Sequence, residues 1–187
     1  DVSRKYIEKL PKVRRSSGKR QKVVFKDSKE GWAEGTLKCC QLMWDGYEVT
    51  WDLSKLRPQG ARLKTFGGRS SGPGPLDETL HFIKHMVEAH RDRKLSSLNA
   101  FDIVTKIANS VVVGGVRRSS IITLSDLYDS GMRNAKQGQF WITNAHRAMS
   151  NNSAIYDIKP NSVDFMKEWL ALAESGTGER GIFNRYS

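Results

Sequence analysis

Two stretches of this chain gather the residue types that grip anions. VVVGGVRRSS, Val111 to Ser120, runs from an apolar segment through Gly114 and Gly115 into Arg117, Arg118, Ser119 and Ser120. A glycine pair lets the backbone turn or approach a partner closely, because glycine carries no Cβ penalty. Guanidinium forks and hydroxyls directly after it suit phosphates or carboxylates. From these residues alone, a helix-ending glycine followed by a solvated turn is an equal alternative. The second stretch is the long segment Ser54 to Pro75, where Arg57, Arg62, Lys64 and Arg69 surround Gly60, Gly67, Gly68 and Gly72. Glycine-rich backbone with interleaved cations can cradle a nucleotide's phosphates through N–H groups and charge. It has neither the GxxxxGK[ST] nor the GxGxxG spacing, so it is not a phosphate loop of a known type. The competing reading is an ordinary mobile surface loop.

Other chemistry-bearing residues are less telling. His81 and His85 lie four apart on a helical pattern but lack a third metal ligand. Adjacent Cys39 and Cys40 point about 100° apart on a helix, lack metal-ligand spacing and read as buried structural thiols in a reducing setting. Asp45, Asp52, Asp126 and Asp129 form no acid/base pair, so nothing specifies a hydrolase.

The elements that position these residues follow from periodicity. Residues 27–46 read as a helix opened by a capping box of Asp27 and Glu30, with Trp32, Thr36, Cys40 and Met43 on one stripe and Gly46 at its end. YEVTWDL, Tyr47 to Leu53, alternates as a strand, and the 54–75 loop follows it. A helix opened by Pro75 carries Leu76, Leu80, Ile83 and Val87 on one face. Another aligns Phe101, Val104, Ala108 and Val111 and runs into the Gly114 turn. IITLSD, NNSAIYDI and GIFN read as strands, and a helix with Phe165, Trp169 and Leu172 aligned ends at Gly176. Strands separated by helices imply parallel pairing and an α/β architecture, with ligands gathering at the carboxyl ends of the strands.

Composition narrows the class. With 187 residues, 38% of them hydrophobic, the chain reads as soluble and globular, without a spanning helix or signal peptide. Its net charge of +11 is concentrated: residues 1–26 hold ten Lys/Arg against Asp1 and Glu8, a surplus of eight. Residues 1–26 are therefore expected to form a basic arm or loop, and 27–187 the main domain with two loops at 54–75 and 113–120. A nucleic-acid-binding module using that arm is the alternative function.

Four motifs together, LRPQGARLKTFGGRSSGPGPL, VVVGGVRRSSIITLSDL, AHRAMSNNSAIY and SGTGERGIFNR, closely resemble in order and spacing the monomeric adenosylcobalamin-dependent ribonucleoside-triphosphate reductases. The resemblance spans about Phe25 to Ser187 and implies part of a ten-stranded α/β barrel, its first half-barrel of parallel strands and crossover helices. It implies a cytoplasmic, monomeric enzyme of deoxyribonucleotide synthesis, in which adenosylcobalamin generates a thiyl radical and a thioredoxin-like dithiol supplies electrons. Arg57, Gly60, Lys64, Gly67 and Gly68 resemble the family's first specificity loop, beside a deoxynucleotide effector. Gly114, Gly115, Val116, Arg117, Arg118 and Ser119 resemble the second, between effector and substrate base. The family's radical cysteine and reducing pair match neither Cys39 nor Cys40. No catalytic or metal-binding residue is therefore carried over, and the segment alone is expected to be inert. TFGGRSSGP favours the monomeric group over the dimeric cobalamin-dependent or iron-dependent reductases.

Overall fold

The computed structural model describes residues 1–63, 68–113, 116–117 and 121–185. The chain divides into two compact units, one of Pro11–Leu95 with Asn109–Ser119, the other of Asp1–Leu10, Ser96–Ala108 and Ser120–Ser187. The divisions fall there and not at residue 26.

In the first unit, β1 (Arg20–Val24) pairs parallel with β2 (Glu48–Asp52), in register from Arg20 opposite Glu48 to Val24 opposite Asp52. Parallel pairing needs a crossover, which α2 (Lys29–Trp44) supplies. The Ser28 hydroxyl caps α2 by accepting the Gly31 N–H at 2.9 Å, one residue after the expected Asp27 cap. Its buried seam is Gly31, Gly35, Cys39 and Met43: Met43 is buried as expected, but the other three lie one position before the expected Trp32, Thr36 and Cys40. Close approach explains the rotation, since a Cβ on Gly35 would lie 2.5 Å from Phe25 Cε1. The helix meets the sheet through its smallest residues, not its most apolar ones.

Helix α3 (Gly74–Ala89) buries Leu76, Leu80, Ile83 and Val87 as their spacing predicts, together with Thr79. Val112–Val113 (β3) and Val116–Arg117 (β4) form a small antiparallel ladder with Val112 opposite Arg117. The apolar VVV run thus leaves the preceding helix instead of prolonging it, as suits three β-branched residues.

In the second unit, β5 (Ile121–Asp126), β6 (Ser150–Tyr156) and β7 (Gly181–Asn184) form a parallel sheet in that order. The segment expected to be irregular contains α5 (Ser130–Arg133), α6 (Phe140–Thr143) and a 3₁₀ turn over Ala145–Met149. Val2, Phe101, Met132 and Ala135 form one buried cluster, and Leu127, Ala154 and Tyr156 another. Helix α4 (Ser97–Ser110) buries Phe101 and Ala108 as expected. Val104 and Val111 are exposed, their expected places taken by buried Asp102 and Thr105. Helix α7 (Ser162–Ser175) ends at left-handed Gly176, yet the only residue it buries fully is Glu168. Phe165 and Trp169, expected in the core, stack on one another at 6.3 Å; Phe165 also meets buried Tyr156 edge-on at 6.4 Å, while Trp169 stays about half exposed.

Residues 1–26 are more ordered than a basic arm or loop. They contain α1 (Arg4–Ile7) and β1, they bury Val2, Val13, Val23 and Phe25, and five of their cations meet a carboxylate. Arg15, for example, lies 2.7 Å from Asp92, and Arg20 lies 2.9 Å from Glu48. Four of the ten cations lie in α1 or β1 and the other six in the connecting segments, which pack through Val13 and Phe25, so the basic stretch is not a free arm, and nothing among the described residues supports the nucleic-acid reading. Among the described residues no helix is long and apolar enough to cross a membrane.

Replacing Gly35 by alanine is expected to lower stability by about 1–3 kcal/mol through overpacking against Phe25. Alanine's advantage of roughly 1 kcal/mol as a helix former works in the opposite direction. Urea unfolding of the two proteins measures the difference, and an unchanged or raised midpoint would contradict the packing argument.

Candidate functional site

Because β1 and β2 run parallel, the segments that leave their carboxyl ends emerge on one edge of the sheet, the edge where α/β folds take ligands. Asp27 follows β1, and the 54–75 loop follows β2. The loop is anchored by a turn from Leu53 to Leu56, whose side chain is buried. Next comes Arg57, whose Nε donates to both carboxylate oxygens of Asp27 at 3.0 and 2.9 Å. The Arg57 backbone N–H lies 3.3 Å from the same carboxylate.

Beyond Arg57 the chain doubles back as a narrow arm. Gly60 donates to Ser70 at 2.9 Å, Ser70 to Ala61 at 2.8 Å and Leu63 to Gly68 at 3.0 Å, with Arg62 bridged antiparallel to Arg69. Arg69 Nη1 closes the arm's base on the Gly60 carbonyl at 2.9 Å. Gly72, at φ +74°, passes so near Gln59 that a Cβ would lie 2.9 Å from its amide nitrogen. Arg62, Gly68 and Arg69 line a concavity on this arm. The arrangement offers cations and closely approachable backbone, the chemistry of a polyphosphate site.

Of the expected site residues, Arg57, Gly60 and Gly68 thus share one arm, whereas Lys64 and Gly67 lie outside the described residues. Val116 and Arg117 form β4, while Gly114, Gly115, Arg118 and Ser119 lie outside the described residues. The 54–75 loop and residues 113–119 of the second loop fall in the same compact unit, whose boundary lies between Ser119 and Ser120. His81 packs edge-on against Trp51 at 4.8 Å and lies 3.8 Å from Asp77. Burial pushes the Cys39 thiol up to about 12 and the Cys40 thiol up to about 11, so neither is a ready thiolate.

The second unit contains buried ion pairs that pattern reading missed. Asp102 Oδ1 and Oδ2 accept from Arg147 Nε and Nη2 at 2.7 and 2.8 Å, and His146 Nε2 lies 3.1 Å from Oδ1. Glu168 is held by Arg180 Nε at 2.7 Å and by Arg133 Nε at 2.9 Å. Arg180 also donates to Ser125 Oγ and to the Asp126 carbonyl, each at 2.8 Å. Burial pushes both carboxyl groups up, but the hydrogen bonds and charges of their partners outweigh it and hold both below the usual carboxylate range. The available signal was a carboxylate at an apolar helical position; its partners, 45 and 12 residues away, carry no local mark.

Comparison with known proteins agrees with this architecture. Residues 16–87 match the family model described as B12-dependent ribonucleotide reductase, insertion domain, and fall inside the first unit. The solved crystal structure of a B12-dependent (class II) ribonucleotide reductase superposes with a TM-score of 0.71 at 24% identity, over 83% of this chain and 26% of that one. Among curated relatives, a protein of Lacticaseibacillus paracasei is 33% identical over 84% of this chain and 21% of its own length. One of Lactobacillus helveticus is 29% identical over 95% of this chain and 24% of its own length. The α/β fold with parallel strands is therefore that of a ribonucleotide reductase, and the chain belongs to the B12-dependent family. Both relatives are named adenosylcobalamin-dependent ribonucleoside-triphosphate reductase. The chain spans about a fifth to a quarter of the length of these relatives.

The lowered Asp102 and Glu168 values give the pH dependence a definite sign. Their stabilisation is present above the unfolded carboxylate pKa of roughly 4 and is lost as pH falls through the lower folded values. Arg147→Ala, which removes both guanidinium bonds from the buried Asp102 carboxylate and leaves it His146, is expected to cost about 3 kcal/mol at pH 7. The gap to wild type should narrow as acid protonates Asp102, as urea unfolding at pH 7 and pH 3 would measure. A gap that does not change with pH would show that Arg147 acts through packing alone.

Proposed function

We propose that this chain is the effector-reading segment of an adenosylcobalamin-dependent ribonucleoside-triphosphate reductase. Such an enzyme converts ribonucleoside triphosphates to 2′-deoxyribonucleoside triphosphates by thiyl-radical chemistry, with a thioredoxin-like dithiol as reductant. The observation that carries the reading is the cationic, glycine-rich arm at the carboxyl edge of β1 and β2, inside the region that matches the reductase insertion domain.

In this reading the 54–75 arm takes a deoxynucleoside triphosphate effector. Arg57, Arg62 and Arg69 neutralise its phosphates, and backbone at Gly60 and Gly68 approaches them closely. The 113–120 loop, which shares that compact unit up to Ser119, serves the substrate base, and a ligand-ordered change in one loop biases the other by differential binding. The enzyme works as a monomer in the cytoplasm.

In a complete enzyme of this family, adenosylcobalamin would be the source of the radical. Among the described residues, the two best-formed concavities do not fit it: one is lined by Arg62, Gly68 and Arg69, the other by Lys22, Lys26, Lys38 and Glu34 beside Val23 and Val24, whereas a corrin needs a broad apolar cleft. No radical step is assigned to these residues, and Cys39 and Cys40, with their raised pKa values, take none of the thiol roles. The contribution of this chain is nucleotide reading.

Calorimetric titration of the 187-residue chain with deoxynucleoside triphosphates is expected to show saturable binding. Arg57→Ala should weaken it roughly tenfold, or about 1.4 kcal/mol. The double change of Cys39 and Cys40 to serine should leave it unaltered. In a complete reductase containing this segment, Arg117→Ala is expected to shift which base is reduced under each effector. Failure of every deoxynucleotide to bind the folded chain would overturn the proposal.

A further inference from the structure

The sequence places Asp27 where a helix cap belongs, yet Ser28 does the capping and leaves the Asp27 carboxylate for another task. That carboxylate crosses the sheet edge to Arg57, 30 residues on, and engages it on one side only: Nε reaches both oxygens, and the backbone N–H reaches Oδ1. Among the described residues no hydrogen bond reaches the two terminal nitrogens of Arg57. Both side chains are about one third exposed, open enough for a ligand and covered enough to be held. Fixing Nε fixes the plane of the guanidinium, because the group is flat and rigid.

Resting on the effector reading above, we infer that Asp27 is the positioning residue of the phosphate site. It holds Arg57 by Nε and the backbone, presenting the terminal nitrogens as a preset fork for the triphosphate of a deoxynucleotide. Asp27 touches no phosphate itself. It orients the arginine in advance, so that binding does not have to order a long, rotamer-rich side chain. The same contact pins the base of the 54–75 arm to the start of α2.

The two roles open to this carboxylate have opposite signs. If Asp27 merely neutralised Arg57, its removal would free a cation and tighten anion binding. If it positions Arg57, its removal weakens binding although the site becomes more positive.

The test is calorimetric titration of the full chain, as wild type, Asp27→Asn, Asp27→Ala, Arg57→Lys and Asp27→Asn/Arg57→Lys, with dATP, dGTP and dTTP and with inorganic triphosphate. Both Asp27 variants are expected to bind the nucleotides and the inorganic triphosphate roughly tenfold more weakly, with circular dichroism unchanged. In the Arg57→Lys background, Asp27→Asn should alter affinity less than about twofold, since lysine has no fork to orient. Unchanged or tighter binding by Asp27→Asn, an equal loss in the lysine background, or loss of its fold would each overturn the inference. If wild type binds none of the probes, the effector reading itself fails and this inference falls with it. If wild type binds and Arg57→Ala changes nothing, the error lies in the role given to Arg57.

Discussion

Parallel strand pairing is the constraint from which the rest of the first unit follows. Two parallel strands cannot be joined by a tight turn, so the chain must cross over, and α2 is that crossover. The crossover brings the exits of β1 and β2 to the same edge, where Asp27 and Arg57 meet although 30 residues separate them. Once that pair is in place, the arm from Gly60 to Ser70 has a fixed base from which to fold back on itself. An antiparallel hairpin would have sent the two exits to opposite edges and left the arginine without its acid.

In the second unit, arginines do much of what apolar side chains do elsewhere. Arg180 is almost wholly buried and joins Glu168 on α7 to the Ser125 hydroxyl and the Asp126 and Leu127 carbonyls at the end of β5. Arg147 in the same way joins Asp102 on α4 to the Ala135 carbonyl. Such pairs bring little net stability over a well-packed apolar core, but they tolerate few alternative geometries, because each carboxylate left unpaired is costly. Helix α7 accordingly buries one glutamate, with Asp164 accepting from Tyr128 and Phe165 meeting Tyr156 edge-on, while Trp169 is about half exposed.

Much of this was legible in the sequence wherever one local rule acted alone. Alternation located β2, the i, i+3, i+4 and i+7 spacing placed the buried face of α3, and Gly176 ended α7. The glycine and arginine content of the 54–75 segment marked it as a loop, and the structure gives Arg57, Gly60, Gly68 and Arg69 places on one doubled-back arm. Reading failed where a distant partner decided the outcome. Phe25 pulls α2 round by one residue, since only Gly31 and Gly35 let the helix approach so closely, and Arg147 makes Asp102 a core residue in place of Val104. The sequence presents Asp27 only as a helix cap, because nothing near it announces Arg57, 30 residues on.

The glycine seam of α2 acts, in this light, as a ruler. The absence of side chains at Gly31 and Gly35 sets how deeply the helix seats on Phe25 and Lys26, and Asp27 sits on the short link between strand and helix. The spacing of two uncharged, unreactive positions therefore sets the height at which an acid meets its arginine. A thicker seam would lift the link and shift the Asp27–Arg57 pair without touching any charged atom, so the calibration of the proposed anion fork is stored in residues that have no chemistry of their own.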